Sequence, residues 1–197
     1  MTILYLMAAP AEYGPCLRGR IQPMMIGVGP VEAAIATTLA LSERRPESPS
    51  LVVSLGSAGS RHLEQCGIYQ ASSVSYRDMD ASALGFPKGQ TPLLDLPAVL
   101  QLPTIAGLPT ATLSSGANVV SGSAYKGIDA DMVDMETYAV LRACQAFGVP
   151  LLALRGISDG VTELEELADW TQYLDIIDQK LAATIDLIEA AHARGEV

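Results

Sequence analysis

Short apolar runs bounded by Gly, Pro or Ser recur along the chain, at residues 3–9, 24–28, 51–55, 68–76, 110–113 and 151–157. Runs of this length, apolar on both faces, predict buried strands. Residues 31–41, rich in Ala and Leu and preceded by Gly29-Pro30, predict a helix entered through its proline. Two further helices are predicted over 135–147 and 169–193. The second carries Trp170, Leu174, Ile177, Leu181, Ile185 and Ile188 at steps of three or four, with Asp169 at its N-cap. Strands alternating with amphipathic helices predict an α/β layer fold, with a buried parallel or mixed sheet covered by helices. Residues 85–103, rich in Pro and Leu and without periodicity, predict an irregular excursion serving as a functional loop or a contact surface. There is no internal repeat and no linker, so residues 1–197 are expected to form a single domain.

Composition narrows the picture. The chain is 49% hydrophobic and 17% charged, with mean hydropathy +0.28, which supplies a core and excludes general disorder. Twelve Lys and Arg against 22 Asp and Glu leave a net charge of −10, a field that repels phosphate polymers and anionic lipid. Neither nucleic acid nor a membrane is therefore expected as a partner. No apolar run approaches the ~20 residues of a bilayer span, and no basic segment precedes the first one, so a cytoplasmic protein is expected. Cys16, Cys66 and Cys144 are far apart and lack CxxC spacing, and His62 and His192 lie at no metal-ligand spacing. The expectation is reduced thiols, no metal and no cofactor, with acid–base chemistry resting on carboxylates.

Several carboxylates and turns are placed to matter. Gly27-Val28-Gly29-Pro30 leads from a strand into a helix and either offers backbone N–H groups to an anion or only makes a tight turn. Gly56-Ser57-Ala58-Gly59-Ser60 reads as a second small-residue turn, at a strand end where α/β sheets hold ligands. On a helix beginning near Met135, Glu136 shares a face with Val140, Ala143 and Phe147, which turns a carboxylate inward, as an ion-pair partner or as an acceptor for ligand hydroxyls. Asp159 closes the strand of residues 151–157, as a site residue or as a turn cap before Gly160. Glu12 follows the first strand and, taken alone, reads as a solvated loop carboxylate.

Taken in order, Gly27-Val28-Gly29, Gly56-Ser57-Ala58-Gly59, Tyr76-Arg77-Asp78-Met79-Asp80, Gly85-Phe86 with Gly89-Gln90, Ser115-Gly116, Met135-Glu136 and Arg155-Gly156-Ile157-Ser158-Asp159 resemble the purine nucleoside phosphorylase and nucleosidase superfamily. Within it, the likeness is to the 5′-methylthioadenosine/S-adenosylhomocysteine nucleosidases. The resemblance implies a three-layer phosphorylase-like fold, a central mixed sheet flanked by helices. It implies hydrolysis of the N-glycosidic bond of an adenine nucleoside. By the same resemblance Asp159 protonates purine N7 with Ser158 positioning it, and Glu136 holds the ribose 2′- and 3′-hydroxyls above Met135. Glu12 deprotonates the attacking water. Ser57, Ala58 and Gly59 line sugar and base, while backbone near Val119 and Val120 meets the purine edge. A homodimer is implied, in which Leu84, Phe86 and Pro92 complete the partner's pocket.

The chain departs from the family pattern in a short link between Glu12 and the strand at residue 24, in Val119 where an aromatic ring commonly stacks on adenine, and in Gly160 where a bulkier residue is common. Two alternatives stand beside the hydrolase. A phosphorylase would require a cationic phosphate pocket, for which Arg18 and Arg20 are the candidates, and a non-catalytic nucleoside-binding protein would follow if the short link misplaced Glu12.

Overall fold

The computed structural model describes residues 2–44, 47–160, 162 and 164–197. Among these, eight strands form one mixed sheet. β1 (Ile3–Met7) runs parallel to β2 (Met24–Met25) on one side and to β3 (Leu51–Gly59) on the other. β4 (Ile68–Tyr76) pairs antiparallel with β5 (Val99–Gln101) and parallel with β6 (Thr110–Ser115), which carries β7 (Met132–Asp134) in parallel. β8 (Leu151–Asp159) joins the halves, parallel to β3 and antiparallel to β4. β7 meets β3 at Val133 and Gly59, so the path β3–β8–β4–β6–β7 closes on itself.

Helices cover both faces. α2 (Pro30–Glu43) and α3 (Thr137–Phe147) pack Ala33, Leu41, Val140 and Cys144 into one core. α5 (Leu174–Ala193) packs Leu181, Ile185 and Ile188 into the other, together with Leu17 of α1 (Pro15–Arg18). This is the three-layer fold expected, and the apolar stripe on the last helix faces the sheet as its spacing requires. No helix is long and apolar enough to cross a membrane among the described residues.

Four expectations are corrected. Residues 56–59 are not a turn but the end of β3, because Gly56, Ser57 and Ala58 pair in register with Arg155, Gly156 and Ile157; pairing overrides the weak strand preference of small residues. The strand at 24–28 ends at Met25, since Gly27 takes φ +80° and leaves extended geometry. The excursion at 85–103 contains β5, and β7 was also unforeseen: three residues are too few to show a period. Asp169 does not cap the long helix. It lies inside a separate helix α4 (Leu167–Thr171), where its carboxylate accepts the N–H groups of Glu165 (2.8 Å) and Glu166 (3.0 Å). Trp170 lies on α4, ahead of the break before Leu174, and still packs against the core cluster that the stripe of α5 helps to form.

Candidate active site

A cavity of about 630 Å³ opens where β3 and β8 end, within the usual size of a small-molecule site. Glu12, Ser57, Ala58, Gly59, Val119, Val120, Met135, Glu136, Ser158 and Asp159 all line it. Residues from five separate parts of the chain thus meet in one place.

Glu12 arrives on a 3-10 turn, Pro10–Glu12, directly after β1, and it is buried, not solvated. Its Oε1 accepts the N–H of Ser57 at 2.6 Å and the Ser57 hydroxyl at 2.7 Å, and its Oε2 accepts the N–H of Ala9 at 3.4 Å. A Cβ on Gly56 would stand 2.9 Å from Oε1, so the close approach requires glycine there. The short link beyond is held by Asp178 of α5, whose carboxylate accepts N–H groups of Gly14 (3.0 Å), Cys16 (2.8 Å) and Leu17 (3.1 Å). The compressed segment therefore keeps Glu12 in the cavity instead of displacing it. Burial pushes the Glu12 carboxyl up; the Ser57 and Ala9 donors and the positive charge of Arg155 pull against it.

Glu136 stands one residue before α3, at its N-cap, and its backbone carbonyl accepts the N–H of Val140. Its Oε1 accepts the N–H of Gly29 at 2.8 Å. The Gly27–Pro30 turn does present a backbone N–H to an acceptor, and the acceptor is a carboxyl of the protein itself. Burial, and then the Asp134 carboxylate nearby, push the Glu136 carboxyl up.

Beneath them lies a buried pair that sequence reasoning missed. Arg155 donates through Nε and Nη2 to Asp134 Oδ2 at 3.1 and 2.9 Å, and through Nη2 to Thr137 Oγ1 at 2.6 Å. Thr137 N–H also donates to Asp134 Oδ2, which ties the first turn of α3 to the end of β7. The one signal in the sequence is an arginine inside the apolar run 151–157; its partner, on a three-residue strand, has none.

Asp159 ends β8. Its Oδ1 accepts the Ser158 hydroxyl at 2.6 Å, and burial pushes its carboxyl up. Gly160 follows because a Cβ there would collide with the carbonyl oxygen of Ser60. Arg77 is the one cationic residue lining the cavity among the described residues. Its guanidinium donates to the carbonyls of Ser114, Gly116, Asn118 and Asp134 and to Asn118 Oδ1, at 2.6 to 3.2 Å. It therefore shapes the loop that carries Val119 and Val120, and its donors are taken. Arg18 and Arg20 do not line the cavity: Arg18 lies over the Tyr13 ring and Arg20 pairs with Asp186 of α5. Leu84, Phe86 and Pro92 do not line it within this chain either, and Leu84 is 76% exposed. Trp170, read as part of a core stripe, packs against that core and also lines the cavity.

Fold and cavity define an α/β layer protein with a cavity lined by carboxyl groups beside the ends of adjoining strands. The family model of the phosphorylase superfamily matches residues 104–191. The 5′-methylthioadenosine/S-adenosylhomocysteine nucleosidase of Haemophilus influenzae (strain PittEE) is 33% identical over 153 residues, 68% of this chain and 66% of that protein. The chain spans about 65–66% of the length of the curated relatives it matches. Among solved structures, futalosine hydrolase of Helicobacter pylori strain 26695 superposes with TM-score 0.79 at 23% identity, over 94% of this chain and 96% of the other. The 5′-methylthioadenosine/S-adenosylhomocysteine nucleosidase of Colwellia psychrerythraea 34H, in complex with adenine, gives 0.76 at 21% identity, over 93% of each. The chain belongs to the nucleoside phosphorylase/nucleosidase superfamily.

Proposed function

We propose that the protein is an N-glycosyl hydrolase that cleaves an adenine nucleoside of the 5′-methylthioadenosine or S-adenosylhomocysteine type to adenine and a ribose derivative. The observation that carries this reading is the meeting of Glu12, Glu136 and Asp159 in one cavity, each carboxyl pushed up by burial. Departure of the base leaves positive charge on the sugar and electron density on the purine, so one carboxyl must donate a proton while another stays ionised. Asp159 donates to N7. Burial, working against the pull of the Ser158 hydroxyl, raises the Asp159 carboxyl and so favours the protonated form that the step needs. Ser158 holds Asp159 in place, Glu136 grips the ribose 2′- and 3′-hydroxyls, and Met135 packs under the sugar. Glu12 removes a proton from the water that attacks the anomeric carbon. Ser57, Ala58 and Gly59 line sugar and base, and the backbone at Val119 and Val120 meets the purine edge.

A hydrolase fits this cavity better than a phosphorylase, because the one lining cation among the described residues is engaged with carbonyls and a carboxylate occupies the nucleophile side. The 197 residues act as one domain, and the free cysteines suit the reducing cytoplasm. The subunit works as a homodimer, with Leu84, Phe86 and Pro92 reaching the partner's cavity.

The test is adenine release from 5′-methylthioadenosine and S-adenosylhomocysteine, with futalosine assayed alongside. Asp159→Asn is expected to lower kcat by 10²-fold or more, on the order of a general acid's contribution, while adenine binds nearly as before. Equal turnover by variant and parent removes Asp159 from the chemistry.

A further inference from the structure

Trp170 is the single tryptophan of the chain, and it reaches the cavity from α4. Its Nε1–H donates to Ser57 Oγ at 2.9 Å, and the same Oγ lies 2.7 Å from Glu12 Oε1. An indole N–H only donates, whereas a serine hydroxyl has one proton and two lone pairs. With one lone pair filled by the indole, the Ser57 proton points to an acceptor, and Glu12 Oε1 is in reach. The Ser57 N–H converges on that oxygen at 2.6 Å. Oε1 thus carries two short hydrogen bonds, while Oε2 has the long contact from Ala9 at 3.4 Å.

We propose that Trp170 is a positioning residue for Glu12, orienting the Ser57 hydroxyl onto Oε1 and so leaving Oε2 as the atom that takes the proton from water. This rests on the reading of Glu12 as the base. The step balances: the water oxygen bonds the anomeric carbon as its proton passes to Oε2, the bond from that carbon to N9 breaks with its electron pair going to the purine, and N7 takes the proton of Asp159. Trp170 touches none of the reacting atoms. It acts through Ser57, whose hydroxyl it holds from α4.

The charged groups facing Glu12 are Arg155 of β8, which favours its ionised form, and Glu136 ahead of α3, which opposes it. Asp178 of α5 engages the turn just behind it. Replacing the Trp170 indole by benzothiophene removes the N–H and keeps the ring, and Trp170→Phe provides a second form. Two readouts are taken: the pH profile of kcat/KM for adenine release from 5′-methylthioadenosine, and the carboxyl ¹³C titration of Glu12 by NMR, which needs no turnover. Both replacements are expected to move the acid limb and the Glu12 titration upward by roughly 0.5–1 pH unit, the effect of weakening one hydrogen bond to the ionised form. In a Ser57→Ala background the same replacements should add no shift. An unmoved Glu12 titration, or an equal shift without the Ser57 hydroxyl, overturns the proposal, as does a rise in KM with both titrations unchanged, which would make Trp170 only a wall of the cavity. Full activity of Glu12→Gln would overturn the reading of Glu12 as the base, a result separate from the titration that decides the relay.

Discussion

Glu136 shows how burial converts a carboxylate into a pH-dependent part of the fold. Its carboxyl is raised by desolvation and by Asp134, and the single N–H of Gly29 offsets this only in part. The folded chain therefore keeps a proton that the unfolded chain has released between its ordinary value near 4.5 and about 7. Stability from this group is fully present below the lower value and is lost as pH rises through the upper one. We expect urea melts at pH 8 to give a less stable protein than at pH 5. Glu136→Gln, which still accepts from Gly29, should flatten that slope by up to roughly 3 kcal/mol, the size of a shift of this extent. Parallel pH dependences in parent and variant would show that Glu136 is ionised in the fold throughout. Glu12 and Asp159, raised by the same cause, act in the same direction.

At the level of elements, α2 presents Val31, Ile35 and Leu39 to solvent at steps of four, each more than half exposed, opposite the face that packs Ala33 and Leu41 into the core. Val28, just before this helix, is exposed and also lines the cavity. An apolar stripe that runs on to the rim of the cavity suits a second subunit. Light scattering at micromolar concentration should report a dimer, and Ile35→Glu should shift it to monomer with loss of activity. A fully active monomer contradicts the dimer. The sequence made much of this architecture legible: β4 and the interiors of β3 and β8 are apolar runs, and α2 and α5 have clear starts or stripes. Legibility failed where tertiary pairing decides, as at Gly56 to Gly59, drawn into β3 by β8, and in β7, too short to show a period. Glu12, Glu136 and Asp159 were visible as carboxylates beside strands and turns. Asp134 and Trp170 were not visible as site residues, because their roles depend on contacts from distant segments, an arginine on β8 and a serine on β3.

For the whole molecule, charge and cavity point the same way. The chain carries −10, and among the described residues its cavity is lined by six carboxyl side chains, Glu12, Glu136 and Asp159 among them, and one engaged guanidinium, a poor place for a doubly charged phosphate. A carboxylate at contact repels such an anion by ~1 to 4 kcal/mol per unit charge, depending on screening, whereas a water needs only a base beside it. The most direct measurement is base release from 5′-methylthioadenosine in phosphate-free buffer, repeated with phosphate added and with Glu12→Gln. The account predicts full rates without phosphate, a free ribose product, and collapse of the rate in Glu12→Gln. A strict requirement for phosphate, with a sugar 1-phosphate as product, would contradict it.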